Sequence, residues 1–210
     1  MRIEYHAQVR EDIVPLVPSS RRLLDIGGGT GATARHLKNI GVAQEIGVID
    51  AVVDGYREGL DFASAVDLDD HEAVESFLSD NGPFDTVLFL DVLEHLIDPW
   101  ALVELVSRHL SSDGVLVASI PNVRHVSVVR PLLLKNEWTY SDTGLLDRTH
   151  LRFFVKDTAV KLLEPKGFKA EKVIGTPITN RRHRLIDFIT LGTAKPFFTL
   201  QYLIRARRVV

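Results

Sequence analysis

The amino-acid sequence predicts an α/β fold, in which a doubly wound, mostly parallel sheet carries helices on both faces. Strand and helix patterns alternate regularly over residues 22–120. The fourth and fifth predicted strands, FDTVLFLD (84–91) and VLVASI (115–120), are almost entirely apolar, as is typical of strands buried on both faces. Glycines and acidic residues follow the strand ends, which is where ligands bind in such folds.

The composition is that of one ordinary globular domain over residues 1–210. Hydrophobic residues make up 45% of the chain and charged residues 25%. Cysteine is absent, which excludes disulfides, zinc–thiolate sites and cysteine nucleophiles and suits a reducing compartment. The N-terminal residues MRIEYHAQVRED contain no apolar core like that of a signal peptide, and charges interrupt the apolar stretch 185–204. We therefore expect a cytoplasmic protein.

The charge is divided unevenly along the chain. The formal net charge is −3, but residues 1–147 hold 11 Lys/Arg and 24 Asp/Glu, whereas residues 148–210 hold 14 and 4. One interpretation is a chance distribution of solvated surface charge. The other is a basic C-terminal third that faces an anionic substrate or makes peripheral contact with a membrane surface.

Residues 17–121 form the predicted ligand-binding core. An amphipathic helix over 5–16 precedes it. The periodicity then predicts strands at 22–26, 45–50, 63–68, 84–91 and 115–120, and helices at 30–40, 52–60, 71–80 and 99–110.

The regular alternation stops after Pro121. The sequence then predicts a helix over 122–138 that is broken near Pro131, a polar loop over 139–154, a helix over 156–167 and strands at 168–175 and 199–207. We assign substrate recognition to residues 122–155 together with the N-terminal helix 1–16.

A glycine-rich turn joins the first strand to the first core helix in LLDIGGGTGATARHL (23–37). Gly27, Gly29 and Ala32 fit the dinucleotide pattern G-x-G-x-x-G/A, so an NAD(P)-dependent oxidoreductase remains an alternative. Asp25 counts against it, because a carboxylate beside the turn repels a pyrophosphate and attracts a cation. Gly31 suits the close approach of a bulkier ligand. No Gly-Lys-Ser/Thr follows, which excludes a P-loop.

Acidic residues end four consecutive predicted strands: Asp25, Asp50, Asp67 and Asp91. Such a rim suits a ligand that has a ribose diol, an adenine amino group and a positive charge. Asp50 can accept two hydrogen bonds from vicinal hydroxyls, and Asp67 with the Leu68 backbone can meet the adenine edge. S-adenosylmethionine has all three groups.

The first half of the chain resembles the class I S-adenosylmethionine-dependent methyltransferases. The resemblance rests on LLDIGGGTG, EIGVID and FDTVLFLDVLEHLIDP (84–99), which together span the family's main motifs. It implies a Rossmann-like sheet of seven strands whose last strand is antiparallel, and S-adenosylmethionine as the cofactor. Gly28 departs from the cysteine or serine usual in the family. The implied cofactor-binding residues are Asp25, Gly27, Gly28, Gly29, Gly31, Asp50, Ala51, Asp67, Leu68, Asp91 and Val92, with Tyr5 on a lid.

The second half resembles a narrower group. SIPNVRH (119–125) and DTGLLDRTHLRFF (142–154) are similar to segments of small methyltransferases from bacterial surface-polysaccharide and glycan pathways. That resemblance implies O-methylation of a sugar or another small hydroxylated acceptor, anionic or lipid-linked.

Two histidines are the candidate catalytic bases, because a neutral imidazole can take the proton of an attacking hydroxyl near pH 7. His150 and His125 each have a structural alternative as hydrogen-bonding residues. The spacing of Asp91, Glu94 and His95 is compatible with a metal, but no third and fourth ligand is evident nearby, so we predict no metal site.

The remaining candidates are substrate-binding residues. Arg148 and Arg152 suit an anionic group, or alternatively pair with a neighbouring aspartate. Tyr140 can stack on a sugar ring or simply pack, and His95 can line the substrate entrance or orient its turn.

Two further alternatives remain. A methyltransferase fold can serve as a non-catalytic binding module. Nucleic-acid methylation is disfavoured, because LDVLEH stands where base methyltransferases carry (D/N)PP(Y/F) and because the net charge is negative. We therefore expect a small-molecule or glycan acceptor and no nucleic acid.

Overall fold

One seven-stranded sheet organises the protein. The computed structural model describes residues 8–209. The strands are β1 (Ser20–Ile26), β2 (Ala43–Ile49), β3 (Phe62–Ser64), β4 (Phe84–Leu90), β5 (Leu110–Pro121), β6 (Phe168–Gly175) and β7 (Gln201–Arg208). Their order is β3-β2-β1-β4-β5-β7-β6. The first five strands are parallel, and β7 runs antiparallel to both its neighbours. The predicted fold class is confirmed.

Helices cover both faces of this sheet. They are α1 (Ala32–Asn39), α2 (His71–Asn81), α3 (Pro99–Arg108), α4 (Val126–Lys135), α5 (Lys156–Leu162), α6 (Arg181–Ile189) and α7 (Lys195–Phe198). Alternate residues of β1 enter different hydrophobic clusters, Leu24 with α2, α3 and α5, and Leu23 with α1. This alternation follows from the two-residue period of a strand.

Three predicted elements of the first half are shorter in the structure. The helix expected over 52–60 is a single 3-10 turn, Val53–Tyr56, followed by Gly59 with a positive φ of 77°. Strand β3 stops at Ser64 because its pairing partner β2 ends at Ile49, which leaves residues 65–68 no strand to pair with. Within the described part of the N-terminal segment, a 3-10 helix spans Glu11–Leu16.

The region before β7 contains two helices that the sequence pattern did not predict. Asn180 caps α6 by accepting hydrogen bonds from the backbone N–H groups of Arg182 and His183. None of the described helices is long and apolar enough to cross a membrane. The helix predicted over 122–138 is shorter in the structure, where α4 spans Val126–Lys135 and contains Pro131.

Candidate functional site

The glycine turn lies at the carboxyl edge of β1, where it packs against the chain that follows β4. Gly27, Gly29 and Gly31 have positive φ angles of 72°, 54° and 78°. A Cβ on Gly27 would lie 2.2 Å from Cγ2 of Val92. Gly31 caps α1 in the left-handed conformation. The turn therefore depends on glycine both for its dihedral angles and for its fit against Val92.

Asp25 lies directly beneath the turn. A Cβ on Gly28 would come within 2.6 Å of the Asp25 carboxyl carbon, which explains why this chain has no larger side chain at position 28. Asp25 is 1% exposed, and its Oδ1 has no hydrogen-bond partner among the described residues. Burial raises the pKa of this carboxyl from 3.8 to about 7, with a further raise from Asp50 and partial opposition from Arg10.

Asp50 joins the end of β2 to the same turn. Its Oδ2 accepts a hydrogen bond from the Gly29 N–H at 2.9 Å, and its Oδ1 accepts one from the Val52 N–H at 3.0 Å. A carboxylate oxygen can accept two hydrogen bonds, so Asp50 retains capacity for a diol. Ala51 follows it in an exposed turn.

The three aspartates that follow β3 (Asp67, Asp69 and Asp70) form different hydrogen bonds. Asp70 caps α2, accepting from the Ala73 N–H at 3.1 Å, and Asp69 accepts from the Ile97 N–H at 2.9 Å. Asp67 is exposed and holds only the local turn, accepting from the Asp69 N–H at 3.0 Å. Leu68 packs against the core. Asp67 is therefore the carboxylate of these three that bonds only within its own turn, and its contact with the cofactor stays a prediction.

Asp91 is the centre of a long-range network at the end of β4. Its φ is 57°, and its carboxylate accepts hydrogen bonds from Arg10, from the Gln201 amide and, at 2.9 Å, from the Ser119 hydroxyl. Arg10 pairs with Asp12 as well, at 2.9 Å. Burial raises the pKa of Asp91, and the positive charge of Arg10 opposes that rise. The network ties the N-terminal segment and β7 to the carboxyl edge of the sheet, where the glycine turn, Asp50 and Asp91 lie. This edge is called the cofactor edge below.

Two predicted histidines meet one turn further on. The rings of His95 and His150 pack edge to face, with centroids 4.7 Å apart. The polar loop is held there by two backbone bonds, in which the N–H groups of Leu151 and Arg152 donate to the Glu94 carbonyl at 2.8 and 2.9 Å. Burial, and then the charge of His150, lowers the pKa of His95. His95 is therefore neutral at pH 7.

His125 does not join this pair. Its Nδ1 accepts a hydrogen bond from the Ser127 N–H at 3.2 Å, so the residue caps α4. Burial, and then the charge of His183, lowers the pKa of His125. The sequence left open a hydrogen-bonding role for His125 as the alternative to a base, and in the structure the residue caps α4. Its role as a base stays a prediction.

The predicted substrate-binding side chains that the structure describes form contacts within the protein. Arg148 forms an exposed ion pair with Asp142 at 3.3 Å, and Arg152 donates to the Ile97 carbonyl. Tyr140 is 45% exposed and packs beside Phe153, with ring centroids 6.4 Å apart. Tyr5 lies outside the described residues.

Sequence reasoning did not identify Ser119 and Gln201 as parts of the site. They reach Asp91 across 28 and 110 residues of chain, and no local pattern marks either of them. Glu94 was considered with Asp91 and His95 as a possible set of metal ligands, whereas the structure groups it with His95 and His150.

Comparisons with known proteins agree with this architecture. The methyltransferase domain family matches residues 1–173. The ubiquinone biosynthesis O-methyltransferase of Caulobacter vibrioides is 30% identical over 177 aligned positions, which cover 79% of this chain and 67% of that protein.

Solved structures share the fold. A SAM-dependent methyltransferase from Archaeoglobus fulgidus superposes with a TM-score of 0.66, at 20% identity, over 94% of this chain and 90% of that chain. The N-methyltransferase NodS of Bradyrhizobium japonicum WM9, in complex with S-adenosyl-L-homocysteine, superposes with a TM-score of 0.59, at 15% identity, over 98% of this chain and 86% of that chain.

The family match, rather than the glycine pattern alone, decides between the readings of the turn. G-x-G-x-x-G/A occurs in dinucleotide enzymes too, but the match extends over most of this chain and includes the acidic residues after β2 and β4. The chain belongs to the methyltransferase domain family and is an S-adenosylmethionine-dependent methyltransferase.

Proposed function

We propose that the protein O-methylates a small hydroxylated acceptor that carries an apolar, lipid-like part. The observation that carries the proposal is the five-residue segment 91–95. It presents Asp91 to the cofactor edge and His95, beside His150, to the polar loop. The methyl donor at Asp91 and the acceptor at the two histidines would therefore lie on either side of this single turn. The Caulobacter relative, whose name specifies O-methylation in ubiquinone biosynthesis, supports an oxygen acceptor.

The cofactor edge fits S-adenosylmethionine on its own chemistry. The unpartnered Asp25 oxygen suits a cationic group, and Asp50 has capacity for the ribose diol. The cofactor supplies a methyl group already activated on a positively charged sulfur. Catalysis by the protein is then chiefly alignment and exclusion of water.

His150 is the proposed general base. Its Nδ1 lies 3.2 Å from the Leu145 carbonyl, an acceptor, so Nδ1 carries the proton and Nε2 has the free lone pair. An acceptor hydroxyl that donates to Nε2 can pass its proton there.

A groove between α4 and α6 is the proposed place for the apolar part of the acceptor. It has a volume of about 540 Å³, and its lining includes Val126, Arg130, Leu134 and His183. Val126 and Ser127 of the lining follow closely after β5, so the groove begins where the chain leaves that strand. The mixture of apolar and basic side chains suits an acceptor with both a lipid-like and an anionic part.

The neighbouring surface of α6 is the proposed contact with an anionic lipid surface. Phe188, Ile189 and Leu191 are 80%, 68% and 91% exposed. Arg181, Arg182 and Arg184 lie on the same helix and have no carboxylate partner in the described part of the chain. An apolar patch beside unpaired arginines complements anionic headgroups and their acyl chains.

Calorimetric titration tests the cofactor half of the proposal. We expect S-adenosylhomocysteine to bind and NADH and NADPH not to bind. Binding of a dinucleotide alone would overturn the proposal.

Transfer of a labelled methyl group tests the acceptor half, with sugar nucleotides, lipid-linked sugars and polyprenyl phenols as acceptors. We expect His150→Ala to slow turnover about 10- to 100-fold with unchanged S-adenosylhomocysteine affinity. His125→Ala, which removes only the helix cap, should leave the chemical step intact. Full activity of the His150 variant would remove this residue from the base role, and methylation of amines alone would contradict O-methylation.

A further inference from the structure

Three ligating side chains converge beside the cofactor edge. One carboxylate oxygen of Glu94 and one ring nitrogen each of His95 and His150 all lie within 4.8 Å of one another. Glu94 and His95 belong to the turn after β4, and His150 belongs to the polar loop. The backbone bonds from Leu151 and Arg152 to the Glu94 carbonyl fix the loop against the turn, so the three groups stay together.

Both imidazoles are oriented as metal ligands usually are. The Nδ1 atoms of His95 and His150 each lie 3.2 Å from a backbone carbonyl, those of Thr149 and Leu145. A carbonyl only accepts, so both Nδ1 atoms donate and both Nε2 atoms keep a free lone pair. Metal-bound histidines have this same second hydrogen bond, which fixes the ring and the tautomer.

Glu94 supplies the observation that requires a partner. The residue is 1% exposed, and neither of its carboxylate oxygens has a hydrogen-bond partner among the residues that the structure describes. Buried polar groups are ordinarily paired, and an unpaired buried carboxylate is costly. Burial raises the pKa of Glu94 well above its usual range, the charge of Asp91 raises it further, and the charge of Arg10 opposes that rise. A cation bound between Glu94 and the two histidines would satisfy all three.

We propose that Glu94, His95 and His150 bind one divalent transition-metal ion, with Zn²⁺ or Mn²⁺ as the fitting class. Two imidazoles and one carboxylate are a donor set for such ions, and three protein ligands leave positions open for a substrate oxygen. The spacing of Glu94 and His95 was compatible with a metal, but no metal site was predicted because the further ligand, His150, lies far along the chain. The fold supplies that ligand.

The ion would act on the acceptor, a consequence that depends on the proposed function. A hydroxyl bound to a divalent cation becomes more acidic, so its proton can leave to solvent at neutral pH. His150 would then serve as a ligand, and its loss would lower metal affinity as well as turnover. A base role for His150 predicts no change in metal affinity, so the two roles are distinguishable.

Calorimetric titration of chelator-treated protein with ZnCl₂, MnCl₂ and MgCl₂, without cofactor or acceptor, tests the site. We expect one Zn²⁺ or Mn²⁺ per chain and weaker binding of Mg²⁺. Glu94→Gln and His150→Ala should each weaken binding at least tenfold. Circular dichroism checks that both variants fold.

Glu75 and His109 provide the matched control. They form another glutamate–histidine contact, at 3.0 Å, without a third ligand among the described residues. Glu75→Gln should leave metal affinity unchanged. Absence of binding, or equal binding by the Glu94 and Glu75 variants, would overturn the site.

The outcomes separate the metal site from the proposed function. Methyl transfer by protein that binds no metal would keep the proposed function and reject the metal site. Metal binding without transfer to any hydroxylated acceptor would keep the metal site and reject the function.

Discussion

The glycine turn and the polar loop (139–154) are both irregular segments, and each contains a glycine with a positive φ. They differ in the contacts that hold them in place. At Gly27 an added Cβ would lie 2.2 Å from Val92, whereas at Gly144, with a φ of 88°, nothing lies within 4 Å. At Gly27 and Gly28 the turn is fixed by close packing against Val92 and Asp25. The loop is fixed by the two backbone bonds to the Glu94 carbonyl and by a few side-chain contacts, such as the bond from Arg152 to the Ile97 carbonyl. We therefore expect cofactor binding to depend on the close packing of the glycine turn. We expect acceptor binding to depend on the few contacts that hold the polar loop.

Alanine at the two glycines gives the largest expected contrast. Gly27→Ala combines an unfavourable left-handed conformation with overlap against Val92, and should lower the free energy of unfolding by about 3–5 kcal/mol. Gly144→Ala meets only the conformational cost, about 1 kcal/mol. Urea unfolding measures both. Equal losses would mean that the turn is no more tightly packed than the loop.

The buried carboxyl of Asp25 beneath the glycine turn should make the free energy of unfolding depend on pH. Between pH 4 and 7 the folded protein keeps a proton on Asp25 that the unfolded chain has released, because its pKa rises from 3.8 to about 7. The free energy of unfolding should therefore fall as pH rises through this window and level off above it, by about 2–4 kcal/mol.

Asp25→Asn is the matched variant, since it keeps the shape of the side chain and removes the titration. Urea unfolding at pH 5, 6, 7 and 8 should show the variant gaining stability relative to the native protein up to pH 7. Asp91 and Glu94 titrate in both proteins, so the difference between the two curves isolates Asp25. A difference independent of pH would contradict the raised pKa.

Asp50 and Asp85 sharpen the comparison between the two ends of the sheet. Each accepts two backbone N–H groups, Asp50 at the carboxyl edge and Asp85 from Arg21 and Arg22 at the opposite edge. Asp50→Asn should weaken S-adenosylhomocysteine binding about 30-fold, which is about 2 kcal/mol. Asp85→Asn should leave that affinity unchanged. Similar losses in both variants would make the effect of Asp50 structural.

The surface of α6 gives the smallest expected effect. Phe188→Ser should reduce binding to vesicles containing phosphatidylglycerol about tenfold, or about 1.5 kcal/mol, with little change in stability because the side chain is 80% exposed. Cosedimentation with anionic and with neutral vesicles measures this. Ile40→Ser, in which the native side chain is 48% exposed and lies just beyond α1, is the control. Equal losses in the two variants would reject α6 as the contact.

The cofactor edge was predictable from sequence because its signals are local. Strand β1, the glycines and Asp50 lie within thirty residues of one another, and each has a pattern of its own. The network around Asp91 was not predictable, since Arg10 and Gln201 reach it across 81 and 110 residues. Only the sheet order brings β7 beside β5 and so places Gln201 there.

The acceptor side was predictable as a list of residues but not as an arrangement. His95 and His150 were both candidates, yet no pattern pairs two positions so far apart, and the contact depends on the loop's backbone bonds. Helix α6 was not predicted, although Leu185, Ile186, Phe188 and Ile189 have the i, i+3, i+4 spacing of an apolar helix face. That face is exposed in the structure.

The two N–H···O=C bonds that hold the loop involve no side chain of the loop itself. Leu151 and Arg152 contribute only their backbone N–H groups, and Glu94 contributes only its carbonyl. These two bonds are therefore independent of the loop's side chains, whereas the contacts of the Arg152 side chain with the Ile97 carbonyl and of the His150 ring with His95 are not. A loop of different composition that keeps these two backbone bonds would keep its anchor beside Glu94. Changes in the loop's side chains would then alter the surface offered to an acceptor without moving that anchor.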